Sequence, residues 1–208
     1  MRILAVDTST PAVTAGVVEY VDGVVTALAT EVVVDARAHT EVLTPNILAA
    51  LHDADVQPMD LGAVVVGVGP GPFTGLRVGM ATAAAFADAL RIPVHGVCSL
   101  DAIAADVPGG KELLVVTDAR RREVYWARYR DGVRIDGPAV IKPAELEVGS
   151  AEVIAGSASH VDFFDLPVEP VESPSPAGLV RVADLGIKPE PLVPLYLRRP
   201  DAVPAGQR

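Results

Sequence analysis

A pattern near the start of the chain occurs a second time in its second half. Residues 3–7 form an apolar run that ends in aspartate, and the apolar run after it stops at Asp22-Gly23. Residues 113–118 form a second apolar run that ends in aspartate, and an alternating stretch then stops at Asp131-Gly132. Such runs predict strands joined as β-hairpins. The repetition predicts two related lobes rather than a short-period solenoid, and chance resemblance between two hairpins is the alternative.

Two helices are predicted after the first hairpin. The first covers residues 40–54 and has an apolar stripe at helical spacing, formed by Leu43, Ile47 and Leu51. Pro45 lies inside it and removes a backbone donor, so either the first turn is bent or the regular helix begins near residue 44. The second helix covers residues 74–90 and follows an apolar strand and a glycine-rich bend.

One face of the second helix is almost bare of side chains. Small residues follow one another there at steps of four, at Gly75, Gly79, Ala83 and Ala87. Another element can approach such a face closely. The face packs either on the sheet of its own chain or, beside the stripe of the first helix, against a second subunit.

The end of the first strand and the glycine-rich bend are the candidate anion-binding elements. Asp7, Thr8 and Ser9 place a carboxylate and two hydroxyl groups on one loop. Gly69 and Gly71 let the backbone turn tightly before a helix whose free N–H groups suit an anion. We interpret these residues as a vestigial nucleotide or phosphate loop. The alternative is structural, with Asp7 accepting hydrogen bonds from nearby backbone groups and the glycines allowing close packing.

Charge and motif content argue against several classes of function. The formal net charge is -10, and the sequence has no Lys/Arg run of the kind that contacts a phosphate backbone. Both features argue against strong binding of nucleic acid by this chain alone. The four histidines lack zinc-site spacing, and no nucleophile elbow or Walker lysine is present. We therefore predict no metal site and no catalytic residue. Cys98 is interpreted as a small buried residue.

The opening apolar run is too short for a signal peptide, and no stretch is long enough to span a bilayer. These features predict a cytoplasmic protein without a membrane contact.

Five ordered blocks resemble the TsaB (YeaZ) family along nearly the whole chain. The most specific block is Gly-Pro-Gly-Pro-Phe-Thr-Gly-Leu-Arg-Val-Gly at residues 69–79. The other blocks are residues 3–9, 39–41, 118–121 and 194–198. One departure is Arg122, which stands where many relatives have glycine after Asp-Ala-Arg-Arg.

The resemblance implies an α/β fold with two related lobes of the actin/Hsp70/sugar-kinase (ASKHA) superfold, each a mixed sheet flanked by helices. The N-terminal lobe would cover residues 1–100 and hold the partner-binding helices. The C-terminal lobe would cover residues 101–208, with a Pro-rich tail after about residue 190.

The resemblance also implies a role without catalysis. The chain would be a scaffold that pairs with TsaD in the synthesis of threonylcarbamoyladenosine, next to the anticodon of tRNAs reading codons that begin with A. TsaE would dock on the pair, tRNA would be contacted only indirectly, and the chain alone would form a homodimer. No cofactor of its own is expected, because ATP or ADP and the metal belong to the partner subunits. The alternative is a stand-alone nucleotide-dependent phosphotransferase or a glycoprotease-like peptidase.

The pairing surface implied by the resemblance is a bundle made by the first two helices of each partner. The corresponding residues here are Leu43, Ile47, Leu51, Gly75, Val78, Gly79, Thr82, Ala83 and Phe86. A bulky charge in this contact, as in Gly79→Arg, is predicted to block pairing while the monomer stays folded.

Overall fold

The computed structural model describes residues 1–35 and 39–198, and it contains two β-sheets. The first has the strand order β3-β2-β1-β4-β5, with β1 (Arg2–Asp7), β2 (Ala12–Val21), β3 (Val24–Val34), β4 (Leu61–Gly67) and β5 (Val94–Val97). The second has the order β8-β7-β6-β9, with β6 (Leu113–Asp118), β7 (Val124–Arg130), β8 (Val133–Ile141) and β9 (Val153–Gly156). Both sheets are mixed, because antiparallel hairpins are joined to parallel strands.

The helices lie against these sheets. They are α1 (His39–Asp53), α2 (Phe73–Leu90), α3 (Ser99–Asp106), α4 (Ala158–Val161) and α5 (Pro176–Arg181), with short 3-10 turns at Pro58–Asp60 and Pro143–Glu145. The predicted α/β class, with mixed sheets flanked by helices, is confirmed. Among the described residues, none of the helices combines the length and apolar character needed to cross a membrane.

The first sheet is covered on both faces, which explains its apolar strands. Leu4 and Val6 of β1 pack with α1 and α2 in one core cluster. Ile3 and Ala5, which point to the other face, pack with α3 and α5. Gly16 of β2 is needed for this second contact, because a side chain there would overlap Pro176 at the start of α5.

The repeated pattern of the sequence corresponds to a repeated topology. In each sheet an antiparallel hairpin pairs through its first strand with a parallel strand that comes later in the chain. The hairpin turns at Asp22-Gly23 and Asp131-Gly132 both have positive φ at the two central residues, the geometry of a tight type I′ turn. The two hairpin predictions are confirmed.

Helix α1 begins at His39 and continues through Pro45, so the predicted alternative start near residue 44 is wrong. Pro45 is solvent-exposed, so the carbonyl that loses its backbone donor faces the open side of the helix. Helix α2 begins at Phe73 and ends at Leu90, as the sequence predicted within one residue.

The segment after the second sheet returns to the first one. Helix α5 packs on β1 and β2, and α3 lies between the sheets, with Ala102 in one core cluster and Leu100 in the other. Residues 191–198, which we name the C-terminal strap, have no regular secondary structure and place Leu195 against the first sheet. The predicted division near residue 100 stays a prediction, and the rest of the Pro-rich tail lies outside the described residues.

Candidate functional site

The carboxylate of Asp7 is fully buried at the end of β1, and both of its oxygens are bonded. Oδ1 accepts hydrogen bonds from the Ser9 backbone N–H at 2.8 Å and from the Ser9 hydroxyl at 2.7 Å. Oδ2 accepts one from the Ser99 hydroxyl at 2.6 Å. Burial raises the pKa of Asp7 above its ordinary value, against the opposing effect of these hydrogen bonds. Both carboxylate oxygens are therefore engaged by contacts within the chain.

Residues from three further segments close the space around Asp7. The Ser99 hydroxyl also accepts a hydrogen bond from the Gly69 N–H at 3.3 Å. A side chain at Gly67 would overlap Asp7 Oδ2, and one at Gly71 would come within 2.8 Å of Ser9 Cα. The strand end and the glycine-rich bend thus touch each other directly. The close packing that the structural alternative assumed is present, and the interpretation as a vestigial phosphate loop stays a prediction.

Thr8 and the bare face of α2 are packed together in the same way. The Thr8 hydroxyl donates to the Gly75 carbonyl at 2.7 Å, and Thr8 is buried. A side chain at Gly79 would overlap Thr8 Oγ1. The small residues of α2 therefore face the chain's own first strand. Because this position faces the buried Thr8, we expect Gly79→Arg to destabilise the monomer, contrary to the prediction made from the sequence.

The stripe of α1 also points inward. Leu43, Ile47 and Leu51 are buried in the core cluster that contains Leu4 and Val6. Gly75, Gly79 and Ala83 are buried as well. These six residues lie inside the chain, so assigning them to direct contact with a partner is corrected. The apolar stripe of a helix marks the buried face, which here is the intramolecular one.

The other predicted contact residues lie at the border of the outer surface. Val78, Thr82 and Phe86 are half-buried along one side of α2. The two helices contact each other, and each has exposed apolar residues that the sequence-based prediction did not name: Pro45, Leu48, Ala81, Ala85 and Ala89. Leu48 has 55% of its surface exposed. In the sequence, Leu48 is distinguished only by its position one residue after Ile47, which belongs to the apolar stripe of α1.

The second aspartate loop differs from the first in its chemistry. Asp118 Oδ1 accepts a hydrogen bond from the Arg120 backbone N–H at 2.7 Å, and His160 Nε2 lies 3.6 Å from the same oxygen. Arg120, Arg121 and Arg122 all have positive φ, at 62°, 51° and 63°. The turn therefore takes a left-handed path without glycine. A small cavity separates Arg120 from the first turns of α1 and α2, where His39 Nε2 lies 3.0 Å from the Thr10 carbonyl oxygen.

The comparisons with known proteins agree with this architecture. A family model described as TsaD, tRNA N6-adenosine threonylcarbamoyltransferase, matches residues 26–179. An uncharacterized protein of Mycobacterium tuberculosis, Rv3421c, is 61% identical over 97% of this chain and 94% of its own length. The tRNA threonylcarbamoyladenosine biosynthesis protein TsaB of Escherichia coli is 36% identical over 69% of this chain and 63% of its own length.

A solved structure extends the match over the whole described fold. YeaZ from Pseudomonas aeruginosa superposes with a TM-score of 0.76 at 26% identity, covering 94% of this chain and 99% of that one. The chain belongs to the TsaB/YeaZ family. The resemblance stated from the five sequence blocks is confirmed, and so is the α/β fold of mixed sheets flanked by helices that it implied.

Proposed function

We propose that the chain is a non-catalytic subunit in the synthesis of threonylcarbamoyladenosine in tRNA, and that it pairs with TsaD. The pathway is suggested by the E. coli relative's name and by the family model. The observation that carries the non-catalytic role is the sealed Asp7 loop. Because both carboxylate oxygens are bonded within the chain, binding a phosphate or its metal there would require breaking buried hydrogen bonds.

The chemistry of Cys98 argues against the peptidase alternative. Burial is the main cause that raises the pKa of its thiol to about 11. The thiolate, which is the nucleophilic form, is therefore a very small fraction at neutral pH. The charged groups beside the Cys98 thiol are Asp101 and Arg134. Neither is a histidine, the residue that commonly activates a nucleophilic cysteine.

The outward face of α1 and α2 is the proposed pairing surface. It is built from small and apolar side chains, with Leu48 on α1 and Ala81 and Ala85 on α2. Small side chains let two helices approach closely, while Leu48 supplies apolar area for burial. We propose that the homodimer and the pair with TsaD use this same face and therefore exclude each other.

The remaining partners follow from the same proposal. TsaE would dock on the assembled pair. ATP or ADP and the metal would be held by the partner subunits, and the partner would provide the main grip on tRNA.

The test is size-exclusion chromatography with light scattering on the chain, alone and mixed with TsaD of the same organism. A threonylcarbamoyl-transfer assay on tRNA follows. We expect a complex to form, and only the mixture to modify tRNA. Leu48→Arg should abolish both the complex and the activity, because it places a charge in the proposed contact.

Met59→Arg is the matched control. Met59 has 79% of its surface exposed and belongs to the 3-10 turn before β4 rather than to either helix. This variant should pair and support activity like the wild type. If Leu48→Arg still pairs normally, the surface is misplaced. If the wild type fails to associate under any nucleotide condition, or hydrolyses ATP or a peptide alone, the scaffold role is wrong.

A further inference from the structure

Two partly exposed aromatic rings and an arginine form a cluster at the start of α2. The rings of Phe73 and Tyr196 are stacked, with centroids 4.9 Å apart and an interplanar angle of 29°, and each residue is 38% exposed. The guanidinium carbon of Arg77 lies 3.7 Å from the Phe73 ring centroid, and its Nε–H donates to the Tyr196 hydroxyl at 3.1 Å. Each of the three holds the others in place, so the cluster is pre-organised.

Three more arginines lie at the tip of the β6–β7 hairpin. Arg120, Arg121 and Arg122 are all exposed and all have left-handed backbone angles. A non-glycine residue is disfavoured in that region, so a run of three persists only where the surroundings hold it. Arg198 provides part of that support, because its Nη1 donates to the Ala119 carbonyl at 2.6 Å.

The C-terminal strap joins these two groups into one surface. Tyr196 belongs to the aromatic cluster, and Arg198, two residues later, is bound to the hairpin. On the other side, Arg120 and Thr74 of the first turn of α2 line the same small cavity. We name the combined surface the arginine–aromatic patch; its members are Phe73, Arg77, Arg120, Arg121, Arg122 and Tyr196.

The charge of the patch is opposite to that of the chain. Asp118 lies 3.7 Å from Arg120, and Glu123 lies 3.5 Å from Arg198. The patch and the strap together bring five arginines to one surface, whereas the chain as a whole has a formal net charge of -10. An anionic partner is therefore attracted here and repelled by much of the remaining surface.

In place of the indirect contact expected from the sequence, we propose that the arginine–aromatic patch contacts the anticodon arm of tRNA when the chain is paired with TsaD. This inference rests on the proposed function. Guanidinium groups neutralise phosphates, and the exposed part of the Phe73–Tyr196 pair offers aromatic surface to the unpaired bases of an RNA loop. The combination of both groups at one site favours RNA over an acidic protein surface, which would need only the charges. The acidic remainder of the chain makes the contact too weak to hold RNA without the partner.

The experiment measures binding of a fluorescently labelled anticodon stem–loop RNA to the purified pair, by anisotropy at several salt concentrations. The variant is Arg121→Asn combined with Arg122→Asn. Asparagine tolerates the left-handed backbone, so the turn is kept while two charges are removed. We expect affinity about tenfold weaker at low salt, and a salt slope smaller by about 0.7 for each phosphate that the variant no longer neutralises.

The matched control is Arg91→Asn. Arg91 also has a left-handed backbone, with a φ of 57°, and lies exposed at the opposite end of α2. This control should keep wild-type affinity and salt slope. Chromatography of each pair is run beside the binding assay, so that loss of pairing is seen separately from loss of RNA binding.

Three results overturn the inference. If the double variant forms the pair and binds RNA with unchanged affinity and slope, the patch does not contact RNA and the proposed function is unaffected. If the double variant fails to pair with TsaD while Arg91→Asn pairs, the patch is a protein contact instead. If the wild-type chain does not pair at all, the proposed function fails and this inference fails with it.

Discussion

Replacing Gly67 by alanine tests whether the Asp7 loop is sealed. The new methyl group would lie 2.6 Å from Ser99 Oγ and 2.8 Å from the Asp7 carboxyl carbon, and both side chains are buried. The substitution must break the hydrogen bond between Ser99 and Asp7, which costs about 1.5–3 kcal/mol when the acceptor is charged. It must also strain the surrounding packing, which costs about 1–3 kcal/mol. Alanine is more favourable than glycine inside a strand by about 0.5–1 kcal/mol, and this gain offsets part of the two costs. The expected loss of unfolding free energy is about 2–5 kcal/mol.

Gly62→Ala in the same strand is the control. Its methyl group would meet Met1 Cγ at 2.7 Å, but Met1 is 48% exposed and its flexible side chain can move. We expect a change within about 0.5 kcal/mol. Urea unfolding followed by circular dichroism, with linear extrapolation to water, measures both variants. If Gly67→Ala is no more destabilising than Gly62→Ala, the Asp7 carboxylate can move aside, and the loop is open to a ligand.

Buried contacts lead to two further predictions. Gly79→Arg should unfold the chain, because the position faces buried Thr8, and a variant that stays folded by circular dichroism but fails to pair would contradict this. Burial raises the pKa of Cys98 from 9.0 to about 11, so the neutral thiol contributes stability below pH 9, and that contribution is lost as pH rises towards 11. Over this window the wild type should lose about 2–3 kcal/mol more than Cys98→Ser, and parallel pH profiles of the two proteins would refute the shift.

The sequence contained enough local information to predict the repeated framework. The Asp-Gly turns at residues 22–23 and 131–132 and the apolar runs before them are short-range signals, and their structures agree with the predictions. The two long helices are also determined locally, by propensity and periodicity. Local information does not determine what a helix face packs against. Leu43 and Gly79 belong to regular stripes, but a stripe reports burial and does not say whether its own chain or a partner covers it.

The contacts that close the candidate site are long-range and carry no local signal. Ser99 bonds Asp7 from 92 positions along the chain, and Arg198 reaches Ala119 from 79 positions. A serine at the start of a helix and an arginine in a Pro-rich tail are common, so neither residue type is distinctive by itself. The run of arginines at residues 120–122 is short, and the formal net charge of -10 for the whole chain gives no indication of a local basic surface. Its relation to Phe73 and Tyr196 exists only after the strap has folded back.

Helix α2 carries the features on which both proposals depend. Its inner face is bare because Gly79 must accept the Thr8 side chain, and that contact joins the helix to the sealed strand end. Its outer face carries Ala81 and Ala85, where a partner helix can approach closely. Its first turn begins at Phe73, within the arginine–aromatic patch. A partner bound along the outer face would therefore lie beside the patch, and RNA held by that partner would be within reach of it. Under the two proposals, a chain with a closed loop and an acidic surface would contribute to an RNA-modifying assembly by placing two binding surfaces on one helix.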